Sequence, residues 1–347
     1  MRYYCTYFDR NYLIRALALI ESLQTHEKGP FTIFAVCLDE LTRVVLTRLA
    51  WPSVVPIALH EIEAHDAELT LARSNRDPVE YYWTLTPTVI LRLLERNPHI
   101  DLITYVDADL YFYSSPEPIF TEMGTSSILI HEHRFHEEFK PAIIYGRFNV
   151  GLLCFRNDER GRTVLRWWRE RCNEWCHNRL EDGKFGDQLY LDAWPDTFPG
   201  VHVLGHIGAG VAPWNHLQYH FEPLPDGGVS INGLPLVFYH FHALLFRHPH
   251  FVMLSKLMVH RFTADIILLC YLPYIRHLLH LSELVRSLVP DFDFGLTSSY
   301  WNPSHAAIIR DAASVVVSSQ EGDSRELELL RLDENLSLLV TEQVVHP

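Results

Sequence analysis

The sequence lacks both glycine signatures of phosphate-binding folds: it contains no G-x-G-x-x-G and no G-x-x-x-x-G-K-[ST]. It is also short of positive charge. Against 43 acidic residues stand 29 Lys and Arg, a formal net charge of −14, which argues against a nucleic-acid partner. An anionic substrate would need a local device, a metal ion or a few arginines. The opening MRYYCTYFDR has neither the basic stretch nor the apolar core of a secretory leader. The most apolar later run, ADIILLCYLPYI from Ala264, is interrupted by Asp265 and Pro273 and reads as too short to span a bilayer. Six cysteines show no framework spacing, so free thiols in a reducing cytoplasm are expected. Peripheral contact with the inner face of a membrane stays open. No internal repeat and no low-complexity tract is found.

What is present is an alternation of strand and helix patterns. YYCTYF reads as a strand, and NYLIRALALIESL places Leu13, Leu17 and Ile20 at helical spacing. FTIFAVCLD, a helix through ELTRVVLTRLA, the strand VVPIAL and a helix from about Val79 to Glu95 follow. This order predicts an α/β fold with a mainly parallel, doubly wound sheet flanked by helices. SSILIHEH and RFNVGLLCF are further strands, and a Trp-rich helix covers roughly Glu159–Leu180. The expected organisation is a catalytic domain over residues 1–248 and a mostly helical extension over residues 249–347. In that extension Lys256, Arg261, Arg276 and Arg286 interleave with Leu, Ile and His. Packing or homodimerisation is expected of it in preference to a membrane surface.

Chemistry concentrates in Leu102–Tyr113, LITYVDADLYFY, where Asp107 and Asp109 interrupt an apolar and aromatic run. Residues i and i+2 of a strand share a face about 6.6 Å apart along the chain. Two like charges in a partly buried setting repel by roughly 4 kcal/mol at ~4 Å, so a divalent cation is the natural compensation. Both aspartates sit late in their strand, at the end where open α/β sheets bind ligands. LVFYHFHALLF offers His240 and His242 as further ligands, and carboxylates with imidazole suit Mn²⁺ or Mg²⁺. Taken alone, H-x-H is equally a zinc fragment or a surface pair in a chain with 21 histidines.

The ordered set YCTYFDRNYLIRALALIESL, YVDADLYFYSSPEPIF, FNVGLLCFRND, GDQLYLD and FYHFH, over roughly residues 1–250, resembles GT-A-fold glycosyltransferases. The similarity is to the glycogenin-like and lipopolysaccharide-galactosyltransferase-like group and its bacterial relatives. It implies a Rossmann-like, metal-dependent enzyme that moves a sugar, a hexose by this likeness, from a nucleotide-sugar donor, UDP-linked, with retention. The acceptor would be a saccharide, a lipid-linked or a protein substrate. By the same resemblance Asp107, Asp109 and His240 would hold the metal, with Asp107 also near the ribose or sugar. Thr6 and Tyr7 would line the base pocket, and Asn149, Asp187 and Gln188 would face the donor sugar. Ala243 replaces the glycine of the group's H-x-x-G, and the lysine that meets the diphosphate is missing. Arg247 is offset from that place, so Arg73 and Arg76 are the candidates to counter the phosphates.

Asp187 follows DGKFG at an apparent helix start, where the helix dipole would keep it ionised. Trp214 and Asn215, in APWNHLQY, are expected to close the acceptor side. Cys172 and Cys176 read as buried thiols packed against aromatics. A metal-dependent hydrolase built on the D-x-D and H-x-H pairs, or an inactive relative serving as an interaction module, are the alternative functions. Retained aspartates, His240 and GDQ speak against the last.

Overall fold

The computed structural model describes residues 1–225, 227–248, 251–255 and 261–296, together with the strand segments Ser314–Val317, Leu327–Leu332 and Leu338–Glu342. The main strands are β1 (Arg2–Phe8), β2 (Phe31–Cys37), β3 (Val54–Ala58), β4 (Leu102–Val106), β5 (Leu110–Phe112), β6 (Ile128–Glu132), β7 (Phe148–Arg156) and β8 (Val201–Val203). All but β5 form one sheet in the order β3-β2-β1-β4-β7-β6-β8. Strands β1 to β4 run parallel, whereas β7 lies antiparallel to both β4 and β6. Central strands read as apolar runs because helices cover both faces, and Tyr4, Cys5 and Thr6 of β1 are fully buried.

Short polar signals set the helix starts. Asp39 accepts from the Thr42 amide at 3.0 Å and caps the helix Glu40–Leu49. Asp77 and Glu80 form a reciprocal capping box, with Pro78 in the first turn of the helix Pro78–Arg96. Asp158 caps the Trp-rich helix, which ends at Glu174. Cys172 and Cys176 are buried and free, as expected of packed thiols.

The C-terminal part departs from expectation. From Ala264 the chain is helical as far as Leu288, through a π turn at Ile267–Tyr271. Pro273 reads in sequence as an interruption, but the wider π turn just before it accommodates the ring. The resulting 25-residue helix is long and apolar enough to cross a membrane. Here it belongs to the core: Tyr274, Ile275, Leu278, Leu281 and Val285 are fully buried together with Leu13, Ile14 and Leu17 of the helix Leu13–His26. His277 bridges Glu21 (2.6 Å) and the Tyr111 hydroxyl (3.2 Å), and Tyr274 stacks on Phe241 at 3.8 Å. The described parts of the tail beyond Pro303 are strands, not helices, in a sheet with Leu245–His248 and Phe251–Met253. Their Val- and Leu-rich runs suit pleated pairing.

Candidate active site

Strand β4 ends at Val106, so Asp107 and Asp109 lie in the turn that joins it to β5, not within a strand as the sequence pattern suggested. Past the strand end the chain no longer alternates faces, and both carboxylates can converge. The Asp107 amide bonds Gly151 O of β7 at 2.8 Å. The strand Phe238–His240 pairs antiparallel with β5, setting His240 opposite Leu110. This register brings His240 Nε2 to 3.1 Å from Asp109 Oδ1 and 3.8 Å from Asp107 Oδ2. His242 lies past the strand end, before a turn in which Ala243 adopts φ +63°, the left-handed conformation that favours glycine. One ligand atom each from Asp109, His240 and His242 lie within 4.8 Å of one another.

Three charges share this corner. Burial would raise Asp109, yet His240 overrides it and holds the carboxyl at about 2. Asp107 is raised, by burial first and by the Asp109 charge, while its Oδ1 accepts from the Tyr105 hydroxyl at 2.7 Å. Burial would lower His240, but the facing carboxylates raise it. Oxygen and imidazole donors this close fit a divalent metal. One feature of a usual metal histidine is missing, since His240 Nδ1 has no hydrogen-bond partner among the described residues. That nitrogen faces Gly151, where a Cβ would come within 3.0 Å.

Beside this corner sits Asp187, 5% exposed, on the turn made by Gly186 (φ +52°) against Trp83. It does not start a helix: a short 3₁₀ turn begins only at Leu189. With no helix dipole to hold its charge, burial and then the nearby Asp107 raise the Asp187 carboxyl to about 7, overturning the expectation of a permanently ionised group. Its Oδ2 accepts from the Thr86 hydroxyl at 3.1 Å, and Thr86 in turn meets the Tyr7 hydroxyl at 2.9 Å. Asn149 accepts from the Gly151 amide (2.9 Å) and points its Nδ2 at His133 Nε2 (3.2 Å). Burial pushes His133 down to about 3. The neutral ring donates from Nδ1 to Arg147 O (3.3 Å) and accepts at Nε2. Gln188 donates to Tyr145 O at 2.9 Å.

The structure thus brings together Asp107, Asp109, His240, Asp187 and Tyr7. Thr6 points into the interior, its hydroxyl buried without a partner among the described residues. Arg73 pairs with Glu63 at 2.9 Å on the surface. Arg76 donates to Thr84 and to Asn173 O, both at 2.6 Å, so neither arginine is engaged with the carboxylate corner. The Arg247 side chain lies outside the described residues. Trp214 sets its ring edge-on to His133, His240 and His242, with centroids 5.0 to 5.5 Å apart. Asn215 is fully buried and holds its loop through His133 O and Gly210 O; it presents no acceptor surface. Thr86, His133 and Arg15 were not singled out in the sequence. Arg15 is buried, donates to Asn11 O and Leu244 O, and its charge favours ionised Asp109. A lone cation in the apolar run YLIRALALI was the available signal.

No protein-family model matches the chain. It is 34% identical over 302 residues to the uncharacterized Bacillus subtilis (strain 168) protein YfnF, covering 84% of this chain and 96% of that one. It is 32% identical over 309 residues to the uncharacterized YfnD of the same organism, covering 88% and 96%. Among solved structures it is similar to the galactosyltransferase LgtC in complex with donor and acceptor sugar analogs. That match has a TM-score of 0.51 and 14% identity over 80% of this chain and 95% of that one. At such identity the likeness concerns the fold.

Proposed function

Because the chain belongs to the family of Bacillus subtilis YfnF and YfnD and has the GT-A fold of nucleotide-sugar glycosyltransferases, we propose that it moves a sugar from a nucleoside-diphosphate donor to an acceptor. The donor is a UDP-hexose, and Asp107, Asp109 and His240 hold Mn²⁺ or Mg²⁺. The observation that carries the reading is the convergence of Asp107, Asp109 and His240 beyond the carboxyl end of β4, with His240 Nε2 3.1 Å from Asp109 Oδ1 and 3.8 Å from Asp107 Oδ2.

Held by Asp107, Asp109 and His240, a divalent cation would neutralise charge developing on the leaving diphosphate. Asp109 is ionised in advance and needs no proton loss to act as ligand. His240, raised between two carboxylates, would have to give up any proton on its ligating nitrogen to become one. Asp187 is protonated in part near neutrality. In its ionised form Asp187 would stabilise cationic character at the sugar. With that carboxylate beside the sugar, transfer with retention needs no strong base at the acceptor. Asn149 is oriented for a polar contact by Gly151 and His133, and Gln188 by Tyr145. Six free, buried cysteines accord with a reducing cytoplasm.

Calorimetry with UDP in the presence and absence of Mn²⁺ tests the reading. Asp109 is 7% exposed and bonded to His240, so Asp109→Asn, which keeps shape, is the proper variant. Wild type should bind UDP more tightly with Mn²⁺ and release protons on taking up the metal. Asp109→Asn should lose the metal dependence; unchanged affinity would remove Asp109 from the site.

A further inference from the structure

Two threonines of the helix Pro78–Arg96 use their hydroxyls in different ways. Thr84 turns back to Glu80 O of its own helix at 2.8 Å, as helical threonines commonly do. Thr86 reaches across to two other elements: Asp187 Oδ2 at 3.1 Å and the Tyr7 hydroxyl of β1 at 2.9 Å. Tyr7 donates in turn to Tyr82 O at 2.8 Å, which brings the chain of bonds back to the helix it left. Thr86 is 1% exposed, too buried for bulk water to stand in for a lost partner.

A hydroxyl both donates and accepts. Thr86 donates to Asp187 when the carboxyl is ionised and accepts from it when the carboxyl is protonated. Tyr7 holds the other side of the Thr86 oxygen in both cases, so the carboxyl keeps one place through a change of charge. Trp168 holds only the backbone of this residue, donating from Nε1 to Asp187 O at 2.9 Å. Asp107 is supported in a similar way: its Oδ1 accepts from the Tyr105 hydroxyl at 2.7 Å. The rings of Tyr105 and Tyr7 pack with centroids 5.8 Å apart. One aromatic pair therefore underlies both carboxyls, and Thr86 carries its support to Asp187.

We propose that Thr86 is a positioning residue: with Tyr7 and Tyr105 it fixes the Asp187 carboxyl relative to Asp107, and so relative to a donor sugar. The proposal rests on the transferase reading and adds to it a residue that acts through Asp187. It also gives Tyr7 a task other than base recognition.

Thr86→Val keeps the shape and removes the hydroxyl, whereas Thr86→Ser keeps the hydroxyl. Both are read first by UDP release from a UDP-hexose that the wild type cleaves with Mn²⁺, water or an added saccharide taking the sugar. Thr86→Val should lower kcat at least ~10-fold, as misplacement of a reacting group implies, with KM and UDP affinity little changed. Thr86→Ser should recover most of that loss, and in an Asp187→Asn background Thr86→Val should cost nothing further. Equal losses in the two variants, or a loss that multiplies with that of Asp187→Asn, would overturn the proposal. Tyr7→Phe serves where Thr86→Val does not fold: it removes the second link and should lower kcat in the same direction, and an unchanged kcat would count against the chain. Urea unfolding supplies a readout that needs no activity. Thr86→Val should lower the midpoint in the wild type, where it leaves a buried carboxyl without its partner, but not in Asp187→Ala. A midpoint lowered equally in both backgrounds would also overturn the proposal. If the wild type cleaves no donor, the transferase reading falls, and the unfolding comparison alone decides whether Thr86 holds Asp187.

Discussion

Replacing Asp187 by asparagine should stabilise the protein and slow it at once. The Asp187 carboxyl is raised from 3.8 to about 7 by burial and by Asp107, a shift of about three units. Each unit corresponds to about 1.4 kcal/mol. The folded value lies above the unfolded one, so the folded state holds this proton more tightly. The associated stability is complete below about pH 4 and is lost as pH rises through about 7. Relative to a neutral side chain, the wild type is then weaker by about 2 kcal/mol at pH 5.5 and about 4 kcal/mol at pH 7.5. The Asp187→Asn side chain keeps the shape and can still accept from Thr86, whose hydroxyl is 3.1 Å from the carboxylate. Urea unfolding of both proteins in EDTA at the two pH values measures the difference. Meanwhile kcat for sugar transfer should fall at least ~100-fold, as when one electrostatic stabiliser of a transition state is removed. Donor affinity should change far less. A stability difference that does not grow with pH, or a less stable variant, would refute the buried, protonated Asp187. A variant that binds donor weakly but turns over normally at saturation would move Asp187 to a binding role.

His240 is 4% exposed and faces both aspartates, so His240→Ala should weaken Mn²⁺ binding more than His242→Ala; equal losses in a metal titration would mean that both are ligands. Gly151→Ala would place a Cβ 2.6 Å from Asn149 Oδ1 and 3.0 Å from His240. Its Mn²⁺ affinity, read in the same titration, should drop about 10-fold without loss of the fold, and undiminished affinity would show that the imidazole can move aside.

The sheet was legible because its central strands are apolar runs separated by helical patterns, with Asp39, Asp77 and Asp158 just ahead of the helices they cap. The D-x-D stood out because carboxylates are costly among buried residues. Its geometry was not legible: same-face spacing assumes a continuing strand, whereas β4 stops at Val106. Asp187 misled for a related reason. GDQ looks like a helix start in one dimension, but the charge state of Asp187 is set by burial, by Asp107 and by Thr86, which are far from it in sequence. Arg73 and Arg76, just ahead of the long helix, looked free to meet phosphates, yet Glu63, Thr84 and Asn173 occupy them. Such pairings depend on tertiary approach and leave no local pattern.

The most direct measurement follows a panel of UDP-hexoses by phosphorus NMR as the protein acts on them with Mn²⁺, the sugar passing to water or to added simple saccharides. Cleavage at the anomeric carbon leaves UDP, whereas attack on the diphosphate leaves UMP and a sugar phosphate. The account predicts UDP as product from at least one donor, suppressed by EDTA and by Asp109→Asn. UMP with sugar phosphate would reveal the hydrolase reading of the same ligands, and no cleavage of any donor would contradict a sugar transferase.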